Sequence, residues 1–181
     1  MHAVVSLLDK KNDRTVRSLS EELEKTFGVH LQYRTPDPHF SYQGATEYNL
    51  AKLERRLQSF AKRTRMFRVH AGGLGLFTGF TPVLYIPVVR APQLSRFHSS
   101  LWKAVSFSAS GISPLYKPES WVPHITLAQG GIDERTLRRV IGKLSRREIE
   151  MDLTVDNLAV IIFDGKKHSL RSKFEFGKSR I

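Results

Sequence analysis

The chain of 181 residues contains no cysteine. This absence excludes disulfide bonds, zinc sites built on thiolates and a cysteine nucleophile, and it fits the reducing cytoplasm. No apolar stretch approaches the roughly 20 residues of a membrane span. Met1 leads directly into an apolar strand pattern in place of a signal peptide. We therefore expect a soluble, cytoplasmic protein with no membrane contact.

Acidic residues are scarce relative to basic ones. The chain has 17 Asp and Glu against 29 Lys and Arg, a formal net charge of +12. Local groups of basic side chains attract a phosphate backbone without reading its sequence, although any one group can also be an ordinary solvated face. The groups are Lys10, Lys11, Arg14 and Arg17; Lys62, Arg63, Arg65 and Arg68; Arg135, Arg138, Arg139, Lys143, Arg146 and Arg147; and Lys166, Lys167, Arg171 and Lys173.

Two short segments match each other in composition and spacing. Pro38-His39-Phe40-Ser41 and Pro123-His124-Ile125-Thr126 each contain a histidine, one apolar residue and a hydroxyl residue. Side chains alternate faces along a strand, so histidine and hydroxyl share one face while the residue between them points into the core. Two such segments facing one cleft supply a general base, a general acid and two hydrogen-bond donors for an anion.

The motif duplication lies within a longer repeat of structure. The apolar pattern predicts a strand over residues 1–8, helices over 13–27, 46–63, 92–107 and 133–145, and strands over 65–77, 82–90 and 122–128, followed by two closing strands. Gly28 is the predicted end of the first helix. We predict one α+β domain over residues 1–181, with repeats of roughly 1–80 and 81–181. These form two pseudo-symmetric lobes of mostly antiparallel sheet, with helices outside and a cleft between them.

The two motifs resemble those of the two-histidine (2H) phosphoesterases of the 2′-5′ RNA ligase family. Trp121-Val122-Pro123-His124-Ile125-Thr126-Leu127-Ala128 resembles the second family motif. Pro38-His39-Phe40-Ser41 resembles the first, with serine where threonine is commoner. The resemblance implies action on RNA phosphodiesters that involve a 2′-oxygen, typically the opening of a terminal 2′,3′-cyclic phosphate to a 2′-phosphate.

The chemistry of these residues agrees with that class. Imidazole, with an unperturbed pKa of about 6.5, can act as base or acid near neutrality. We expect His39 and His124 to be catalytic, with Ser41 and Thr126 donating hydrogen bonds to the phosphate oxygens. Our working assignment has His124 as base and His39 as acid, and the sequence does not fix this polarity. We expect a bell-shaped pH profile, and we predict no metal and no cofactor, since no His-Glu-x-x-His spacing occurs.

Other activities fit the same motifs. A 2′-5′ RNA ligase, a 2′-5′ oligonucleotide phosphodiesterase and a weakly active RNA-end-binding module are the alternatives. The expected partner in each case is an RNA or oligonucleotide with a cyclic phosphate or a 2′-5′ linkage. We predict a monomer, because a chain that contains both half-sites does not need a second subunit.

Three further features have two interpretations each. Tyr85, Tyr116 and Trp121 can stack on a base or pack in the core, and core packing is favoured. His70 and Arg68 share a strand face, where they either reach the cleft or form a surface pair. The glycine-rich run 71–79 fits no nucleotide-binding loop, and its glycines are predicted to permit a bulge or a close approach of substrate.

Overall fold

A computed structural model describes residues 2–28, 37–129, 132–164 and 167–177. These residues form four α-helices and ten β-strands, which confirms the α+β class. In chain order the elements are β1 (His2–Leu7), α1 (Lys10–Phe27), β2 (His39–Tyr48), α2 (Leu50–Arg63), β3 (Phe67–Gly72), β4 (Gly75–Phe77), β5 (Val83–Pro87), α3 (Pro92–Val105), β6 (Ala109–Ile112), β7 (His124–Gln129), α4 (Glu134–Leu144), β8 (Glu150–Val155), β9 (Asn157–Phe163) and β10 (His168–Glu175).

Capping residues set both ends of α1. The Asp9 carboxylate accepts hydrogen bonds from the backbone N–H groups of Lys11 and Asn12, each at 3.1 Å. Because this cap satisfies the first turn, the helix begins at Lys10, earlier than the predicted residue 13. Gly28 ends the helix in a left-handed conformation with φ of 64°, as predicted.

The second helix begins later than the predicted residue 46. Strand β2 continues to Tyr48, and α2 starts after Asn49, whose side chain accepts a hydrogen bond from the Lys52 N–H at 3.0 Å. Residues 45–48 stay extended because they pair with β6, a short strand between residues 107 and 122, where no helix or strand is predicted. The pairing partner lies far along the chain, so local periodicity could not indicate it.

Two predicted segments are divided in the structure. The predicted strand 65–77 breaks at Gly73, which has φ of 74°, into β3 and β4. β3 pairs with β8 in a two-stranded sheet, whereas β4 pairs with β5 in the main sheet, so the break moves the chain from one sheet to the other. The two predicted closing strands are three, β8, β9 and β10, because β8 pairs with β3 while β9 pairs with β1.

Eight strands form the main sheet, in the order β10-β9-β1-β2-β7-β5-β4, and β6 pairs with β2 off this path. The pairings between these strands are antiparallel. The motif strands β2 and β7 are central neighbours; the other neighbour of β2 on this path is β1, and that of β7 is β5. Because β9 and β10 extend the sheet beyond β1, the side that holds the first motif also contains strands from the second half of the chain.

The helices cover the sheet face opposite the motif histidines. α2 packs against α3 and β10, and α1 packs against β7 and α4. The middle residues of the two motifs, Phe40 and Ile125, are fully buried in the main core. Alternation along β2 and β7 therefore leaves the histidines and hydroxyls on the other face. None of the helices in the described part of the chain has the length and apolar character that a membrane span needs.

Candidate active site

The two motifs meet where β2 and β7 pair. Phe40 is the partner of Ile125 in this antiparallel contact. In that register His39 lies opposite Thr126, and Ser41 lies opposite His124. Each histidine therefore faces the hydroxyl residue of the other motif, across the short distance of about 5 Å between opposed Cβ atoms. The four predicted site residues are together on one sheet face.

The backbone ahead of each motif is held by the same hydrogen bond. The N–H of Leu8 donates to the carbonyl of Pro38, and the N–H of Val88 donates to the carbonyl of Pro123, both at 3.0 Å. Leu8 directly follows β1, which pairs with β2, and Val88 directly follows β5, which pairs with β7. The duplication visible in the sequence is therefore also a duplication of backbone geometry.

Both histidine rings are oriented by a carbonyl two residues earlier. The Nδ1 of His39 is 2.8 Å from the oxygen of Asp37, and the Nδ1 of His124 is 2.8 Å from the oxygen of Val122. A carbonyl oxygen can only accept, so each Nδ1 carries a proton and donates it. In the neutral ring, Nε2 then has the free lone pair, which is the form that a general base requires.

Burial shifts both histidines in the same direction. The pKa of His39 is lowered to about 4, chiefly by burial; the hydrogen bond to Asp37 opposes this shift, and the positive charge of a protonated His124 contributes to it. Burial also lowers the pKa of His124, against the hydrogen bond to Val122. These shifts favour neutral imidazoles at neutral pH, and a bound anion would favour the protonated form.

Aromatic side chains surround His124. The Tyr85 ring lies 5.1 Å from the His124 ring, and the Phe77 ring meets it edge-on at 4.9 Å between centroids. Phe77 and Tyr85 stack on each other at 4.3 Å. A side chain on Gly75 would overlap the Tyr85 ring, so this glycine permits the close approach of an aromatic side chain. It is one of the glycines for which a close approach of substrate was predicted.

Tyr116 and Trp121 contact the first motif from the loop that precedes the second. The Tyr116 side chain hydrogen-bonds Ser41, which opposes the rise that burial causes in the pKa of this tyrosine. Its ring lies so close to Gly44 that a Cβ there would be 2.9 Å from it. The Trp121 Nε1–H donates to the Ser41 carbonyl at 2.8 Å. Trp121 is a core residue, as favoured, whereas Tyr116 reaches the site.

A buried histidine supports Trp121. The ring of His98 stacks on the Trp121 ring at 3.8 Å, and its Nε2 donates to the Tyr42 carbonyl at 2.9 Å. Burial lowers the pKa of His98 to about 4. The sequence offered no signal for this role, because His98 lies outside the duplicated motifs.

An apolar cavity of about 290 Å³ opens beside His124. Its size is near the lower limit of small-molecule sites, and its rings offer flat apolar surfaces. Its lining includes His124 of the second motif and none of the residues Pro38–Ser41 of the first. The cavity is lined by Phe77, Leu115, Tyr116, Ser120, Trp121, Val122 and His124.

The other predicted candidates are elsewhere on the surface. His70 is an exposed residue of β3 that pairs with Glu150 and Asp152 of β8, which raise its pKa. The described residues contain no group of three or more histidine, aspartate or glutamate side chains that could hold a metal ion. Several predicted basic residues form ion pairs, among them Arg17, Lys143, Arg147, Arg171 and Lys173. Lys166 lies outside the described residues.

Comparison with known proteins identifies the family. The model of the 2′-5′ RNA ligase superfamily matches residues 6–167, so the chain belongs to this superfamily of 2H phosphoesterases, as its motifs predicted. A Bacillus cytotoxicus protein named provisionally as a phosphoesterase is 22% identical over 169 residues, which cover 91% of this chain and 92% of that protein. A similarly named Bacillus cereus protein matches with the same identity and coverage.

Solved structures share the fold. TT0787 of Thermus thermophilus superposes with a TM-score of 0.65 at 17% identity and covers 99% of both chains. Escherichia coli LigT in its apo form gives 0.62 at 15% identity over 98% of this chain and 97% of LigT. LigT was also solved with 3′-AMP, and that structure gives 0.59 at 13% identity over 98% of both chains.

Proposed function

We propose that this protein is a metal-independent phosphoesterase that opens terminal 2′,3′-cyclic phosphates of RNA to 2′-phosphates. The observation that carries the proposal is the paired geometry of His39 and His124. Both rings donate from Nδ1 to a carbonyl at 2.8 Å, and each histidine lies opposite a hydroxyl residue of the other motif. Membership in the superfamily supports the reaction class.

The proposed reaction needs one group that accepts a proton from water and another that donates a proton to the leaving 3′-oxygen. Neutral His124 accepts a proton at Nε2 from a water molecule, whose oxygen forms a bond to phosphorus. Protonated His39 donates its Nε2 proton to the 3′-oxygen as the bond between that oxygen and phosphorus breaks. The product is a 2′-phosphate, and solvent exchange restores the two histidines. In the ligating direction the roles are reversed.

The hydroxyl groups act on the non-bridging oxygens of the phosphate. Ser41 and Thr126 donate hydrogen bonds to these oxygens, where negative charge increases as the fifth bond to phosphorus forms. The phosphate charge also favours protonation of His39, which burial disfavours. No residue acts as a covalent nucleophile in this scheme.

The cavity beside His124 supports a nucleoside as the group attached to the phosphate. Phe77 and Tyr116 present rings to a space of about 290 Å³ that is bounded by a catalytic candidate. Base stacking on aromatic side chains tolerates any base, because every base has a flat π face. We therefore propose that the terminal base of an RNA occupies this cavity.

The experiment compares wild type with His39→Ala and His124→Ala in the presence of EDTA. The substrate is a short RNA that ends in a 2′,3′-cyclic phosphate, and the products are separated into 2′- and 3′-phosphates. We expect the 2′-phosphate from wild type only. His70→Ala is the matched control, since this histidine is exposed and pairs with Glu150 outside the site. RNA binding without turnover by wild type would favour the binding module over the enzyme.

A further inference from the structure

The segment before His39 is tied to helix α1 by an arginine. The Arg17 Nε donates to Oδ2 of Asp13 at 2.9 Å, within the helix. Its Nη2 donates to Oδ1 of Asp37, also at 2.9 Å. The guanidinium therefore joins a carboxylate of the helix to a carboxylate of the motif segment. The guanidinium group is rigid and planar, so two hydrogen bonds in different directions fix its orientation.

Asp37 is the residue whose carbonyl orients the His39 ring. Its backbone oxygen accepts the Nδ1 proton of His39 at 2.8 Å, while its side chain is held by Arg17. Pro38 follows directly and restricts Asp37 to extended backbone conformations. With few conformations open to the backbone, holding the side chain also holds the direction of the carbonyl.

The second motif has no carboxylate in the matching position. Val122 supplies the carbonyl for His124, and its apolar side chain lines the cavity. An arginine acts there on the backbone instead, because Arg90 donates from Nη1 to the carbonyl of Trp121 at 3.2 Å and from Nη2 to that of Pro118. The ion pair between Arg17 and Asp37 is therefore a feature of the first motif and not of the repeat.

We propose that Arg17, acting through Asp37, is a positioning residue for His39. This proposal rests on the proposed function, in which His39 is catalytic. The ion pair keeps the Asp37 carbonyl directed at Nδ1, which keeps the proton on Nδ1 and directs Nε2 toward the phosphate. Without Arg17 the carbonyl reorients, and His39 samples other ring orientations and the other tautomer.

Burial has the largest effect on the pKa of His39, and three charged residues also shift it. Asp37 raises its pKa, whereas His124 on β7 and His168 on β10 lower it. Removing Arg17 changes the field at His39 as well as the carbonyl direction, so a pH profile by itself does not separate the two effects. The tautomer of the ring does separate them, because it depends on the hydrogen bond at Nδ1.

The experiment uses the full chain and reads the His39 ring by its ¹⁵N shifts, with assignment from His39→Ala. In wild type we expect the Nδ1–H tautomer. Arg17→Ala and Asp37→Ala should each give a mixture of tautomers and lower kcat by about 10-fold, with KM changed little. The double variant should be no worse than either single variant, because the two residues act in one contact. Arg17→Lys should recover only part of the activity, since a lysine is a point charge without the planar fork.

Arg14→Ala is the matched control, because Arg14 is an exposed arginine of the same helix and its removal costs the same charge. Wild-type tautomers in Arg17→Ala, an equal loss in Arg14→Ala, or a rise in KM without a fall in kcat would each overturn the proposal. The tautomer measurement needs no substrate. If His39→Ala proves fully active, the proposed function fails while the ¹⁵N shifts still decide whether Arg17 orients the ring.

Discussion

The two half-sites carry the same chemistry in different surroundings. In the first, Val5 pairs with Ser41 and Leu7 pairs with His39. In the second, Tyr85 pairs with Thr126 and Pro87 with His124. Both pairs of strands have an irregularity at the same place, just before Val5 and just before Tyr85. The two halves thus share even the irregularities of their strand pairing, whereas the side chains on the flanking strands β1 and β5 differ.

The side chains beside the two motifs differ in exposure and type. Val5 and Leu7 belong to a small buried aliphatic cluster with Ala159 and Ile161. Tyr85 and Phe77 instead form a half-exposed aromatic wall next to His124. A repeated motif therefore predicts symmetric acid and base groups, and in the proposed function its neighbours place the nucleoside beside His124.

The largest effect in this comparison should come from the histidines themselves. His39→Ala and His124→Ala should each reduce the rate on cyclic-phosphate RNA by on the order of 10²–10⁴-fold, because each removes a proton-transfer group. Single-turnover rates measure the loss directly. Similar losses would show that the half-sites contribute equally, and full activity in either variant would contradict the two-histidine scheme.

The hydroxyl residues should matter less. Ser41→Ala and Thr126→Ala should each lower kcat by about 10-fold to 10³-fold, because each removes one donor to the phosphate. Ser41 also hydrogen-bonds Tyr116, so we expect its substitution to raise KM as well. Steady-state kinetics of both variants test this difference. Ser41→Thr, which keeps the hydroxyl, should retain activity, and a loss there equal to that of alanine would argue against the donor role.

The buried His98, which contacts Tyr42 and Trp121, predicts that the stability of the protein depends on pH. Burial lowers the pKa of His98 to about 4 in the folded protein, from 6.5, so the unfolded chain binds a proton first as the pH falls. The free energy of unfolding should therefore drop by about 3 kcal/mol between pH 7 and pH 4 from this residue alone. Urea unfolding of wild type and His98→Phe at both pH values measures the difference.

His98→Phe keeps a ring against Trp121 but has no proton to bind. Its loss of stability on acidification should be smaller than that of wild type by about the amount that His98 contributes. The other histidines with lowered pKa values act equally in both proteins. An identical pH dependence in variant and wild type would mean that His98 does not titrate in this range.

The aromatic wall should give the smallest effect. Phe77→Ala should raise KM for cyclic-phosphate RNA by about 10-fold, which is the lower range of one base stack, and should leave kcat nearly unchanged. Phe107→Ala is the control, since Phe107 is 77% exposed and outside the cavity lining. A substrate without a base, such as ribose 2′,3′-cyclic phosphate, should not distinguish Phe77→Ala from wild type. A loss on that substrate would contradict a stacking role.

Much of this molecule could be predicted from local patterns. Alternation over Pro38–Ser41 and Pro123–Thr126 indicated that each histidine shares a face with its hydroxyl, and the helical stripes gave the existence of all four described helices. The errors were at places where distant residues decide the outcome. Residues 46–48 were predicted as helix but belong to β2, which pairs there with β6, and the break at Gly73 exists because β3 and β4 join different sheets.

The sequence by itself determined the chemical groups, their duplication, the basic charge and the side-chain alternation, because these depend on residue type and on neighbours a few positions away. Only the tertiary structure decided that Phe40 pairs with Ile125, that Tyr85 lies over Gly75 and that Arg17 holds Asp37. Each of these contacts joins residues of different segments, and its geometry is set by the packing of the whole sheet and its helices rather than by local propensity.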